Sequence, residues 1–135
     1  MTPEEQRAEL VRNWWVKAEE SLASAQRELE AGACVFSMNR VYYAAFYAAT
    51  AALLDRQLSF RKHSGVRSGF HREFVKTGLL DVALGKLYDQ LWEDREEGDY
   101  LPAVSFEHDY VESQLLRCRE LLTELRPLVA SLVGR

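Results

Sequence analysis

Arg95 stands four residues before Asp99 and five before Tyr100 in the run Arg95-Glu96-Glu97-Gly98-Asp99-Tyr100. Residues four apart share a helix face, so the spacing predicts an ion pair or an Arg-Asp-Tyr network at a helix end. A second guanidinium, Arg40, sits beside Asn39 in the most aromatic and alanine-rich stretch of the chain, 35–54. An unpaired buried charge is costly, so Arg40 must meet a carboxylate, carbonyls or water. A third concentration of polar chemistry is the segment 56–65, where Arg56, Arg61, Lys62 and His63 give four cations in eight residues. It reads as a solvated basic edge that touches RNA or an acidic partner, with His63 and Ser64 helping to cap the helix that follows.

Other chemistries find no support. His63, His71 and His108 do not share a helix at ligand spacing, and Cys34 and Cys118 show no CxxC pattern, so no metal site is expected. The two cysteines read as buried thiols of a cytosolic protein. His71, beside Phe70 and Phe74, reads as a partly exposed surface residue. His108, between Glu107 and Asp109, reaches the Arg95 region only if the loop before it folds back. Without a G-x-G-x-x-G run, a P-loop or a Ser-His-Asp arrangement, no cofactor is expected. Seventeen basic against twenty-one acidic residues give a net charge of -4, which argues against an extended nucleic-acid footprint but leaves room for a local basic site.

The elements that must position these residues are helical. The stretch 35–54 has no Gly or Pro and would make a rod of about 30 Å. Val35, Met38, Val41, Tyr42, Ala45, Phe46, Ala49, Ala52 and Leu53 cover a wide apolar arc, leaving one stripe of Phe36, Asn39, Arg40, Tyr43, Tyr47 and Thr50 in need of polar partners. Before it, a helix begins at a Thr2 cap with Pro3 in the first turn, turns Leu10, Trp14, Ala18, Leu22, Ala25 and Leu29 inward with Val11 and Trp15 beside them, and stops at Gly32. The short turn makes the two helices antiparallel neighbours. Further helices are predicted over 65–76, over 81–97 with Val82, Leu84, Leu87, Leu91 and Trp92 inward and Gly98 as the stop, and over 105–132, kinked or ended by Pro127. No segment alternates with period two, so no sheet is expected.

At 135 residues the chain predicts one domain, 1–135, with its core over about 5–132. The polar, acidic N-terminus does not read as a signal or transit peptide. Arg40 would cost about 2.5–3.5 kcal/mol at the centre of a bilayer, so a soluble, cytoplasmic protein is expected, with no membrane partner.

Four separated pieces carry a family likeness: Trp14 with Ala18-Glu19-Glu20-Ser21-Leu22, the run from Asn39 to Ala49, Lys62-His63-Ser64-Gly65-Val66, and Arg95 to Tyr100. In order and spacing they resemble a HEPN domain (higher eukaryotes and prokaryotes nucleotide-binding) over about residues 10–125. The resemblance implies an all-α, antiparallel four- to five-helix up-and-down bundle that forms a homodimer. It also implies a minimal nucleotidyltransferase as partner in a toxin–antitoxin-like system. Active members are metal-independent ribonucleases with the pattern R-x4-6-H, in which Arg steadies the phosphate and His moves a proton for 2′-hydroxyl attack.

Here Arg95 matches the family's arginine, but Tyr100 replaces the histidine, giving R-x4-Y, and His108 is too far on to fit. A tyrosine with an ordinary pKa near 10 shuttles protons at neutral pH far less well than a histidine near 6.5. The resemblance therefore implies first a binding and interaction module. In it Arg95, Asp99 and Tyr100 hold a phosphate or ribose of a nucleotide or RNA against a wall of Asn39, Arg40 and Tyr43, with Tyr100 a candidate acceptor of AMP. The alternative is a ribonuclease toxin in which Arg95 acts with Tyr100 or a histidine. Arg56-x6-His63 also matches the ribonuclease pattern as text, but in the wrong element.

Overall fold

Thr2 Oγ1 accepts the Glu5 amide at 3.1 Å, which satisfies one of the free N–H groups of the first turn and starts α1, Pro3–Glu30. In the computed structural model residues 1–133 are described; Gly134 and Arg135, the last two of the expected 1–135 domain, lie outside the described residues. After α1 come α2 (Cys34–Asp55), α3 (His63–Phe70) running on into a π-helical turn (His71–Val75), α4 (Val82–Tyr100) and α5 (His108–Leu125). Two 3₁₀ turns, Arg126–Leu128 and Ala130–Leu132, follow. The fold is all-helical, with no strand among the described residues, and none of its described helices is long and apolar enough to cross a membrane.

Gly32, at φ +77°, makes the left-handed turn that sends α2 back along α1. Small residues then bring the two backbones together. Ala18, Ser21 and Ala25 of α1 meet a face of α2 bearing Ser37, Ala44, Ala48 and Ala51, all buried. Two side-chain bonds fix the register: Ser37 Oγ donates to the Ala25 carbonyl and Ser21 Oγ to the Arg40 carbonyl, each at 2.8 Å. The inward face of α1 is accordingly rotated from the sequence reading. Val11 and Trp15 are buried while Leu10 is half exposed, because the small residues at 18, 21 and 25 rather than the leucines set the contact with α2.

Helix α2 runs through the middle of the bundle and packs on α1, α3, α4 and α5. Met38, Val41, Tyr42, Ala45 and Ala49 are fully enclosed, and Leu87, Leu91, Val111, Leu115, Cys118 and Leu121 close over them from α4 and α5. Cys118 Sγ lies 3.6 Å from the Val41 carbonyl, and burial pushes its thiol up to about 12. Cys34 is only half buried, since it is the first residue of α2.

Three details differ from the expectation. Helix α4 does not stop at Gly98; it runs to Tyr100 and ends in the extended Leu101 ahead of Pro102. Gly98 is there for closeness, since a Cβ on it would come within 3.2 Å of Val35 Cγ1. Val82 is exposed, one residue after the Asp81 cap and ahead of the point where Leu84 meets the core. Helix α3 starts at His63 with Lys62 in the cap position, and neither His63 nor Ser64 makes a capping bond. Gly65 and Gly69, one turn apart on α3, leave room for the Phe60 ring, which a Cβ on Gly69 would meet at 2.9 Å.

At the far end Pro127 terminates the regular helix, and the 3₁₀ tail is held by Asp55 at the end of α2. Its carboxylate accepts the Ala130 amide at 2.9 Å, the Ser131 amide at 3.0 Å and the Ser131 hydroxyl. Two outcomes are expected in urea denaturation. Ala48→Leu, which forces a larger side chain between α1 and α2, lowers stability by about 1–3 kcal/mol. Asp55→Ala, which strips three hydrogen bonds from the tail, lowers it by about 1–2 kcal/mol.

Candidate functional site

The Arg95 side chain is only 14% exposed, and its partners come from two helices. One is on its own helix: Asp99, one turn on, places Oδ2 3.1 Å from Arg95 Nε, an ion pair whose angle is too poor for a hydrogen bond. The others are on α2. Arg95 Nη2 donates to the Tyr43 hydroxyl at 3.2 Å, and the guanidinium carbon lies 5.1 Å from the centre of the Tyr42 ring and 5.5 Å from that of Tyr43. Burial opposes the Arg95 charge, but the Tyr43 oxygen, Tyr42 and Asp99 together outweigh it and raise its pKa.

The network continues along the polar stripe of α2. Asp99 Oδ1 accepts from Asn39 Nδ2 at 3.1 Å, and Asn39 Oδ1 accepts from Arg40 Nε at 3.0 Å and from Arg40 Nη2. Arg40 also lies over the Tyr43 ring at 5.0 Å. Positions 39, 40 and 43 fall on one side of α2 because a helix returns to the same face every three or four residues, and positions 95 and 99 do the same on α4. Among the described residues, Asp99 is the one carboxylate in ion-pair contact with either guanidinium. Beside the network an open cleft of about 390 Å³ is lined by Val35, Phe36, Asn39, Gly98 and Asp99.

On its other side the network meets His63. Its ring stacks on Phe46 at 4.0 Å between centres, Nδ1 lies 3.0 Å from the Tyr42 hydroxyl, and the ring also stands edge-on to Tyr43 at 5.9 Å. Arg95 and His63 thus rest on the same pair of tyrosines. Burial first, and then the Arg95 charge, hold the imidazole below its ordinary pKa of 6.5, so it is neutral at pH 7. Burial also raises the Tyr42 hydroxyl far above the usual tyrosine range, and that group is fully protonated.

The remaining sequence candidates lie elsewhere. Tyr100 is 70% exposed and makes no hydrogen bond to the network. The reason is helical geometry: with α4 continuing through Tyr100, five residues turn it about 140° from Arg95, whereas Asp99 is turned only about 40°. The tyrosine that completes an Arg-Asp-Tyr network is Tyr43. His108 begins α5 on the surface, its Nδ1 3.7 Å from Asp109, and the loop before it does not carry it to Arg95. In the basic segment Arg61 and Lys62 are exposed as expected, but Arg56 is not part of that edge. Its guanidinium lies over Phe74 at 4.3 Å, donates to the Glu73 carbonyl at 3.3 Å and stays 3.8 Å from the Glu73 carboxylate. Arg56 and His63 therefore face different neighbours and form no pair.

His71, half buried, bonds through Nε2 to Asp89 Oδ1 at 2.9 Å, beside Arg67 and Trp92. No three His, Cys, Asp or Glu side chains among the described residues stand together as a metal ion requires. Sequence reasoning missed the Tyr42–His63 contact because it counted Tyr42 as apolar core. The available signal was the hydroxyl itself, since a tyrosine buried in a helix centre needs a polar partner from another element.

Comparison with known proteins agrees with this architecture. The sequence profile described as "HEPN domain" matches residues 11–128. A protein of Thermotoga maritima named "UPF0332 protein" is 38% identical over 127 residues, covering 94% of this chain and 96% of that one. A Methanocaldococcus jannaschii protein named "Putative toxin MJ0142" is 30% identical over 115 residues, covering 85% and 78%. A further "UPF0332 protein", from Gloeobacter violaceus, is 34% identical over 100 residues, covering 74% and 75%. With the profile spanning nearly the whole bundle, the chain belongs to the HEPN domain family.

Proposed function

We propose that this chain is a toxin-type HEPN module that works as a homodimer with a minimal nucleotidyltransferase as partner, and that its Arg95 network holds a phosphate of a nucleotide or RNA. The observation that carries the binding reading is the charge imbalance of the network. Two guanidiniums, Arg40 and Arg95, lie against the Tyr43 ring with Asp99 the one carboxylate of the network, and among the described residues Arg40 has only the neutral Asn39 oxygen and a ring face as side-chain partners. A phosphate supplies the missing negative charge and accepts from guanidinium donors in the fork geometry that arginine favours.

Two further features suit a nucleotide. The cleft beside Asn39 and Asp99 has an apolar wall of Val35 and the largely exposed Phe36, a surface on which a base can stack. Arg61 and Lys62 give flanking phosphates a cationic approach next to His63. The toxin role rests on the names of two relatives, both from Methanocaldococcus jannaschii, and the partner and dimer on the family likeness.

Fluorescence anisotropy with a labelled single-stranded RNA tests the reading. Binding is expected, weakening as salt rises, and Arg40→Ala and Arg95→Ala are each expected to reduce affinity about tenfold or more, in line with the loss of a charge-assisted contact. Arg40 is the more informative position, because its removal leaves the Arg95–Asp99 pair in place. Binding unaffected by either substitution would refute the assignment.

A further inference from the structure

We infer that the groove between α1 and the connection from α2 to α3, residues 56–62, is a docking site for an acidic amphipathic helix of a partner protein. The inference does not rest on RNA binding at the Arg95 network.

The groove is built from two cavities that share Trp14. One, of about 220 Å³, is walled by Trp14 of α1, Leu54 of α2, Leu58 and Phe60 of the connection, and Val66 of α3. The other, of about 230 Å³, lies along α1 over Leu10, Asn13, Trp14 and Lys17. Leu10 is 51% exposed and Phe60 37%, so large apolar side chains face solvent beside an apolar hollow. A helix that lays an apolar stripe into such a groove covers them, using anchors three, four or seven positions apart.

The rim selects the charge of that helix. Lys17 Nζ sits 5.3 Å from the centre of the Trp14 ring and 4.8 Å from that of Tyr47, at the edge of the cavity along α1. Arg61 and Lys62, both exposed, directly follow Phe60. Among the described residues none of these three cations has a carboxylate partner. The run 56–72 contains no Asp or Glu. The acids that flank it are already engaged, Asp55 by the 3₁₀ tail and Glu73 by Arg56 and Arg72. An apolar floor under an unbalanced cationic rim is complementary to apolar anchors flanked by carboxylates.

Two other occupants match less well. In a two-fold contact with a second copy, one cationic rim would meet another. A nucleobase needs hydrogen-bond partners along its ring edge, and the larger apolar hollow offers few. The Thr50 hydroxyl there is spent on the Phe46 carbonyl at 2.8 Å, which leaves Ser59 as the other polar side chain of the lining.

The test uses the purified full-length protein and a labelled synthetic helical peptide with leucines along one face and glutamates on the other. Two matched peptides carry lysines for the glutamates or alanines for the leucines. By fluorescence anisotropy the acidic leucine peptide is expected to bind, more weakly as salt rises, and each matched peptide at least about tenfold less tightly. Lys17→Glu, at an exposed position where the fold is not at stake, is expected to weaken the acidic peptide about tenfold and to strengthen the basic one. Leu58→Ala is expected to weaken the acidic peptide while leaving the preference for acid over base unchanged. Equal binding of acidic and basic peptides, no binding of any, or indifference to Lys17→Glu overturns the inference. So does self-association in sedimentation that Lys17→Glu abolishes without peptide binding, which assigns the groove to a second copy. RNA binding weakened by Lys17→Glu in place of peptide binding assigns it to RNA and overturns the inference as well.

Discussion

A guanidinium that is almost wholly enclosed by a helical bundle dictates what must surround it. Arg95 cannot be left without partners, and a single ion pair with Asp99 does not occupy its donors. The bundle answers with two tyrosine rings, a tyrosine hydroxyl and an asparagine relay, all on α2 apart from the carboxylate itself. Because the partners sit on one stripe, the rotation of α2 about its axis is set by chemistry on one side and by packing on the other. The packing side is the alanine face against α1, where Ser21 and Ser37 pin the register through backbone carbonyls. A shift of one residue in that register would carry Asn39, Arg40 and Tyr43 about 100° away from Arg95. The close α1–α2 contact is therefore a condition for the site as well as for stability.

The same reasoning explains why α4 passes through Gly98 rather than ending there. Asp99 must lie one full turn beyond Arg95, so the helix has to persist, and Gly98 lets it do so against Val35 without displacing α2. A glycine inside a helix costs about 1 kcal/mol relative to alanine. Here close approach to α2 and the Asp99 contacts offset that cost, and the cleft lined by Gly98 and Asp99 opens at the point of approach.

Much of this was legible in the sequence, and what was not has a common cause. Periodicity located the helices, the Gly32 turn forced α1 and α2 together, and the i,i+4 spacing of Arg95 and Asp99 announced their pair, because each of these depends only on residues near one another in the chain. The errors arose where contact between distant elements decides. Leu10 looked as apolar as Val11, and only the small residues of the partner helix show which one faces inward. Gly98 looked like a stop until Val35 was found against it. Tyr100 belongs with Arg95 only if the helix ends before it, and α4 runs through it. His63 joined the network through Tyr42, twenty-one positions away, and no local pattern encodes that meeting.

The bare faces of Gly65 and Gly69 carry a consequence for how this protein tolerates change. Phe60 lies flat across them and so anchors the connection between α2 and α3 from within, which fixes where α3 begins and how its first residue is aimed. Arg61 and Lys62, exposed on the outside of that anchor, are free to diversify with whatever they meet. Lengthening the connection by even one residue would therefore move the start of α3 and re-aim His63, whereas substitutions at Arg61 and Lys62 leave that anchor untouched.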